Sequence, residues 1–313
     1  MTEILLHNYP QSPVAEKVRT AFGIMGVAWA SVEIPRLPPK PLLTELTGGY
    51  RRTPVMQIGA DIFCDSRCIL AEVAARSPAR PLLPEGTAGP AQAISRWTDG
   101  ALFSLGVKMM MGSSADSLPP AFAEDRGRLY LGPDWAAGLE KAQSELPHLA
   151  VQMRSALAEV AAMLSDGRAF LLGPAPCLAD ACFWQIIWFV RGRCAAGPAL
   201  IAEFPMIEAW EARIAAIGHG TRGPDTDGEA AIAAAAAAAP AGPEGADDHD
   251  PQGLRPGMRV SVNPDVDGGE QPTEGVVRYA ALDRVTILRE SARAGQVAVH
   301  FPRAGYRVRV LDG

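Results

Sequence analysis

RTPVMQIGADIFCDS, residues Arg52–Ser66, is the stretch on which the reading of the chain turns. Thr53-Pro54 opens the apolar run Val55–Ile58, Gly59-Ala60-Asp61 supplies a turn, and Ile62–Cys64 returns as a second strand, so the segment predicts a β-hairpin. Asp65-Ser66 then precedes Cys68, Ile69, Leu70, Ala71 and Val73, a helical run with a short oxygen-bearing side chain at its start. A strand end beside a capped helix start presents unpaired backbone N–H groups. Such a corner suits a small anion.

Upstream of the hairpin, Ile4–Leu6 is a short apolar run and His7-Asn8-Tyr9-Pro10-Gln11 a polar turn. Ser12-Pro13 leads into Val14, Val18, Ala21, Phe22 and Met25, spaced as one helical face, with Ser12 as N-cap and Pro13 at the first helical position. Ala30–Ile34 is a second extended piece, followed by the Pro-rich loop PRLPPKP and by TELTGGYRR. The predicted order is strand, helix, strand, loop, hairpin, helix.

That order, with the strings YPQSPVAEKVR, RRTPVMQIG and CDS, resembles the thioredoxin-like N-terminal domain of soluble glutathione transferases. The resemblance implies a cis peptide at Pro54, pairing of the Val55 backbone with the cysteinyl part of glutathione, and an acid-plus-hydroxyl pair, Asp65 with Ser66, at the γ-glutamyl end. The reactive position falls on Ser12. Tyr9 competes for that role, since some branches of the family use a Tyr from this loop. Glutathione as co-substrate, an apolar electrophilic small molecule as its partner in detoxification, a homodimer and a cytoplasmic setting are implied in the same way.

The chemistry of Ser12 agrees with this role. A thiol is a poor nucleophile until ionised, and a hydroxyl donor at a helix N-terminus favours the thiolate. A charge-assisted hydrogen bond of roughly 1.5–3 kcal/mol and a helix end of about 0.3–1 kcal/mol would lower a bound thiol's pKa by around one to three units. The bland alternative is that Ser12 only caps its helix.

Downstream, ISRWTDGALFSLGVKMMM, AFAEDRGRLYL, LPHLAVQMRSALAEVAAMLSDG and LADACFWQIIWFVRG repeat apolar residues at spacings of three and four, which predicts an all-helical domain. Met109, Met110 and Met111 read as core or pocket lining. In Gly173–Asp180, the family's corresponding loop carries a Ser or Thr cap paired with an Asp. Here Asp180 is present and Cys177 replaces the hydroxyl, so Asp180 is read as structural and its capping box as weakened.

Composition shifts at Gly218. The Gly, Pro and Asp tract around an Ala run reads as a linker with a short helix between Glu229 and Ala239, and His249 within it as solvent-exposed and not a ligand. From Leu254 the periodicity becomes two, and five short strands predict a small β-barrel or roll. The expected organisation is a thioredoxin-like α/β domain over 1–80, an all-α domain over 90–218, a linker over 219–253 and a small all-β domain over 254–313. The tail resembles an appendage of certain bacterial glutathione-transferase-like proteins. The transferase resemblance itself covers roughly 1–217.

Charge and cysteines bound the remaining classes. The chain carries a formal charge of −6, which argues against nucleic-acid binding by the whole. From Leu254 onward nine Arg face seven Asp plus Glu, about +2, without interleaved aromatics, so a packing or docking role for the tail outweighs a nucleic-acid one. No uninterrupted apolar window reaches membrane-spanning length, and MTEILLHNYP lacks the basic-plus-apolar pattern of an export signal. The five cysteines show neither Cys-x-x-Cys nor histidine partners at metal spacing, which predicts buried free thiols and no metal. Thiol–disulfide exchange is disfavoured, because the reactive position is Ser. A non-catalytic binding or scaffold module of the same fold is the alternative to an enzyme.

Overall fold

The computed structural model describes residues 3–266 and 268–311. The chain divides into two units, one made of the residues up to Ala15, Ala28–Arg76 and everything from Thr221, the other of Glu16–Val27 and Ser77–Gly220.

The first unit opens with β1 (Leu5–Asn8), from which α1 (Pro13–Met25) leads away, then β2 (Ala28–Glu33), α2 (Pro41–Thr47), β3 (Val55–Ile58), β4 (Asp61–Cys64) and α3 (Ser66–Arg76). β1 lies parallel to β2 and antiparallel to β3, and β3 is antiparallel to β4. β1, β3 and β4 are buried along their whole length, as strands covered on both faces must be. This is the thioredoxin-like arrangement expected from the Arg52–Ser66 stretch.

The second unit is helical. It contains α4 (Ala88–Trp97), α5 (Phe103–Ser113), α6 (Pro120–Tyr130), α7 (Trp135–Ser144), α8 (Leu146–Met163), α9 (Leu178–Arg193), α10 (Gly197–Ala202) and α11 (Pro205–Ile217), with a π-helical turn at Thr98–Leu102 joining α4 to α5. α9 is its central helix, buried almost throughout. At its start the Asp180 carboxylate accepts hydrogen bonds from the Leu171 and Cys177 backbone N–H groups, each 2.9 Å, and from Trp210 Nε1 at 2.8 Å. The expected capping box between Cys177 and Asp180 is present, the sulfur accepting from the Asp180 backbone N–H, and the thiol also donates to the Asp180 carboxylate at 3.3 Å. Trp210 is fully buried on α11, so the same carboxylate fixes two helices and the loop before α9. Met109 and Met111 are core residues.

The C-terminal third returns to the first unit. β5 (Thr221–Arg222) adds to β2 in parallel, α12 (Gly228–Ala236) follows, and β6 (Gly245–Ala246) pairs in parallel with Tyr279 and Ala280 further along the chain. The five strands expected after Leu254 are β7 (Arg259–Pro264), β8 (Thr273–Ala280), β9 (Arg284–Ser291), β10 (Gly295–Pro302) and β11 (Tyr306–Val310). They do not stand apart from the thioredoxin-like part. β10 runs parallel to β4, with Ala298 opposite Asp61 and His300 opposite Phe63, and the sheet follows one path β11-β7-β8-β9-β10-β4-β3-β1-β2-β5. β4 would otherwise be an open edge, and β10 satisfies its ladder.

The segment read as a linker is likewise laid down on the unit. Ala231, Ile232 and Ala235 of α12 are buried, and Gln57 Nε2 of β3 donates to the Ala231 carbonyl at 2.8 Å. One apolar core joins Leu43, Leu46, Val55 and Ile62 to Val260, Val277, Ile287, Val299 and Phe301 of the tail. The alternation of the tail therefore buries its inner face against residues from the first third of the chain.

The seam between β4 and β10 is sealed by a polar chain. His300 is fully buried and stacks on Phe63 at 4.2 Å between ring centroids. Its Nε2 lies 2.9 Å from Asp61 Oδ1 and its Nδ1 2.8 Å from Thr286 Oγ1. The backbone N–H groups of Ala241 and Gly242 also reach Asp61. Burial pushes the His300 imidazole below its ordinary value, against the pull of Asp61. A neutral ring with its proton on Nε2 satisfies both neighbours, Asp61 accepting and Thr286 donating.

Candidate functional site

Register brings the sequence-predicted site residues to one end of the sheet. Val55, the first residue of β3, lies opposite His7 of β1 and opposite Cys64, the last residue of β4. Because both pairings are antiparallel, the chain beyond β1 (Tyr9–Ser12), the approach to β3 (Thr53-Pro54) and the chain beyond β4 (Asp65-Ser66) all emerge at that end. The Thr53–Pro54 peptide is cis.

Ser12 stands just before α1, and its Oγ accepts a hydrogen bond from the Ala15 backbone N–H at 3.1 Å. This is the N-cap bond. It occupies an acceptor lone pair only, and among the described residues the hydroxyl proton has no acceptor. The residue is only 2% exposed. Ser66, the first residue of α3, is similarly buried, and its hydroxyl has no hydrogen-bond partner among the described residues. Two hydroxyl donors without internal acceptors thus sit at the same end of the sheet.

Asp65 adopts φ 71°, the only described non-glycine residue in the left-handed region. Such backbone is costly for a side chain with a Cβ and concentrates at functional positions. Its Oδ1 caps α3 by accepting from the Arg67 backbone N–H at 2.9 Å. Its Oδ2 accepts from the hydroxyl of Tyr306 on β11 at 3.1 Å. Half-buried, the carboxylate keeps further acceptor capacity.

Three residues at this end went unread in the sequence. Lys40 is buried, with Nζ 3.0 Å from Thr53 Oγ1 and 5.6 Å from the ring centroid of Tyr9. Its place inside PRLPPKP gave no local sign of this. Tyr50 and Tyr306 form a hydroxyl pair at 3.3 Å behind Asp65. Tyr9, the alternative hydroxyl, lies with its ring beneath the Lys40 ammonium.

The cysteines do not belong to this chemistry. All five are buried free thiols. Burial pushes Cys68 above the range in which a thiolate forms, and Cys177 and Cys194 up to about 12. Among the described residues no three His, Cys, Asp or Glu side chains gather as metal ligands, and no helix is long and apolar enough to cross a membrane.

Residues 6–81 match the family described as glutathione S-transferase, N-terminal domain, and residues 133–213 the one described as glutathione S-transferase, C-terminal domain. No curated protein matches the chain. Among solved structures, a GST-like protein from Pseudomonas syringae is 32% identical, with 99% of this chain and 100% of that one covered and a TM-score of 0.78. The β-etherase LigF from a Sphingobium species is similar in fold at 15% identity and a TM-score of 0.54, over 69% of this chain and 96% of its own. Glutathione transferase F7 from Populus trichocarpa gives 16%, 0.51, 68% and 93%. The Pseudomonas syringae protein alone of these three extends over nearly the whole chain.

Proposed function

The chain belongs to the glutathione transferase family, and we propose that it binds glutathione at the sheet end formed by Ser12, Pro54, Val55, Asp65 and Ser66 and conjugates the thiolate to an apolar electrophilic small molecule. The observation that carries this reading is the pair of unspent hydroxyl donors flanking a left-handed carboxylate.

The donor set fits the tripeptide group by group. Ser12, already aligned by its cap bond, directs its proton to the sulfur and favours the ionised form. Val55, the residue that the resemblance pairs with the cysteinyl amide, lies at the same sheet end, flanked by His7 and Cys64. Asp65 takes the α-ammonium, while the Ser66 hydroxyl and the start of α3 take the adjoining carboxylate. Lys40, beside Thr53, supplies a cation for the second carboxylate. In the reaction the sulfur lone pair forms the new bond to carbon, and the electrons displaced there pass to the electrophile's leaving group or double bond.

A second reading, a non-catalytic module of the same fold, draws on the low exposure of Ser12. Calorimetry of the intact chain with glutathione, followed by turnover of an aryl halide, separates them. Saturable one-site binding weakened by Asp65→Ala, with turnover, supports the enzyme. Binding without turnover supports a non-catalytic binding module, and absence of binding contradicts the enzyme reading and leaves the scaffold reading standing.

A further inference from the structure

The C-terminal strands meet the proposed site at several tethers. Arg67, the second residue of α3, donates to the Ala304 carbonyl in the turn before β11 at 3.1 Å. On the approach to Pro54, Arg52 pairs with Glu270 and donates to the Val266 carbonyl at 2.6 Å, while Arg51 donates to the Gly268 carbonyl. The loop between β7 and β8 and the turn between β10 and β11 thus grip both chain segments that carry site residues. Between them, Tyr306 reaches Asp65.

The hydroxyls order themselves. Tyr306 lies within reach of both Asp65 Oδ2 and the Tyr50 hydroxyl but has one proton, which goes to the carboxylate as the stronger acceptor. Tyr50 then donates to the Tyr306 oxygen, and the chain Tyr50 to Tyr306 to Asp65 is polarised in one direction. Burial, reinforced by the Asp65 charge, holds both phenols well above their ordinary values, so both remain donors. With Oδ1 held by the Arg67 N–H, both carboxylate oxygens are pinned and the remaining lone pairs have a fixed direction.

We propose that Tyr306, backed by Tyr50, is a positioning residue of the ligand site: from the C-terminal strand it holds the Asp65 carboxylate in the orientation that receives the ammonium of glutathione. The tail is on this account a constituent of the site and not an appended module. The inference rests on the glutathione reading above and adds to it a residue 241 positions away from Asp65. A carboxylate held in advance loses less rotamer freedom on binding, which is where the affinity arises.

The test compares glutathione with its des-amino analogue, glutaryl-cysteinyl-glycine, by calorimetry on the full chain. Tyr306→Phe keeps the buried ring and removes one hydrogen bond, so glutathione affinity should fall about three- to tenfold while the analogue, lacking the ammonium, binds as before. Tyr50→Phe should shift the same ratio less. Equal losses for both ligands would make Tyr306 merely structural and overturn the proposal. Unchanged or tighter glutathione binding would also overturn it, the latter because the hydroxyl would then compete with the ammonium. Wild-type protein that binds neither ligand contradicts the glutathione reading itself, a result distinct from both. Thermal melting of each variant confirms that the folded chain is being measured.

Discussion

His7 shows how a single residue links burial to pH. It lies on β1, fully buried, with its ring nitrogen 2.9 Å from Gln57 Oε1, and burial brings its pKa down to about 4 despite that hydrogen bond. The folded state therefore keeps the imidazole neutral, whereas the unfolded chain takes up a proton below its ordinary pKa of about 6.5. Stability from this group is fully present above that value and is lost as pH falls toward about 4. Urea unfolding at pH 7.5 and pH 5 should differ by about 2 kcal/mol from His7 alone. In His7→Asn that part of the slope should vanish, and an unchanged slope would contradict the assignment. At this scale Ser12, Asp65 and Ser66 were legible because helix starts carry local signatures, a cap residue before an apolar period. Lys40, Tyr50 and Tyr306 were not, because their roles come from partners brought by the fold, and nothing beside them in sequence marks it.

Among elements, the strands of the tail were legible and their destination was not. Alternation locates β7–β11 but says nothing of which apolar surface their inner face covers. The Gly, Pro and Ala tract before them looked like a linker because alanine gives no contrast between a packed face and an exposed one. In the structure Ala231 and Ala235 are buried and β5 extends the sheet beside β2. This arrangement has a consequence for deletion. Removing residues after Gly220 uncovers the β4 edge and strips the cover from Leu43, Leu46, Val55 and Ile62. At about 1.5–3 kcal/mol for each buried aliphatic side chain, full uncovering of these four would cost about 6–12 kcal/mol, comparable to a typical domain stability of about 5–15 kcal/mol. The truncated chain should aggregate or sediment as an unfolded species. A monodisperse truncated protein with wild-type glutathione affinity would show the tail to be dispensable.

Across the whole molecule, the sheet rather than the sequence order defines the first unit: its strands come from both ends of the chain, and the helical unit is inserted between them. The similarity to the Pseudomonas syringae GST-like protein runs over the same full length, tail included. The fold class was readable because each segment's period agrees with the element it forms. The joining of the tail was not readable, since pairing of β10 with β4 is a contact between residues more than two hundred positions apart. The central claim, that Ser12 directs its free proton to the sulfur of bound glutathione, is tested most directly by titrating thiolate absorbance against pH in the complexes of wild type and Ser12→Ala. Loss of one charge-assisted hydrogen bond of roughly 1.5–3 kcal/mol should raise the bound thiol's pKa by about one to two units, with glutathione affinity retained within a few-fold. A folded, glutathione-bound Ser12→Ala protein with an unchanged thiol pKa would contradict the account and leave Ser12 as a helix cap alone.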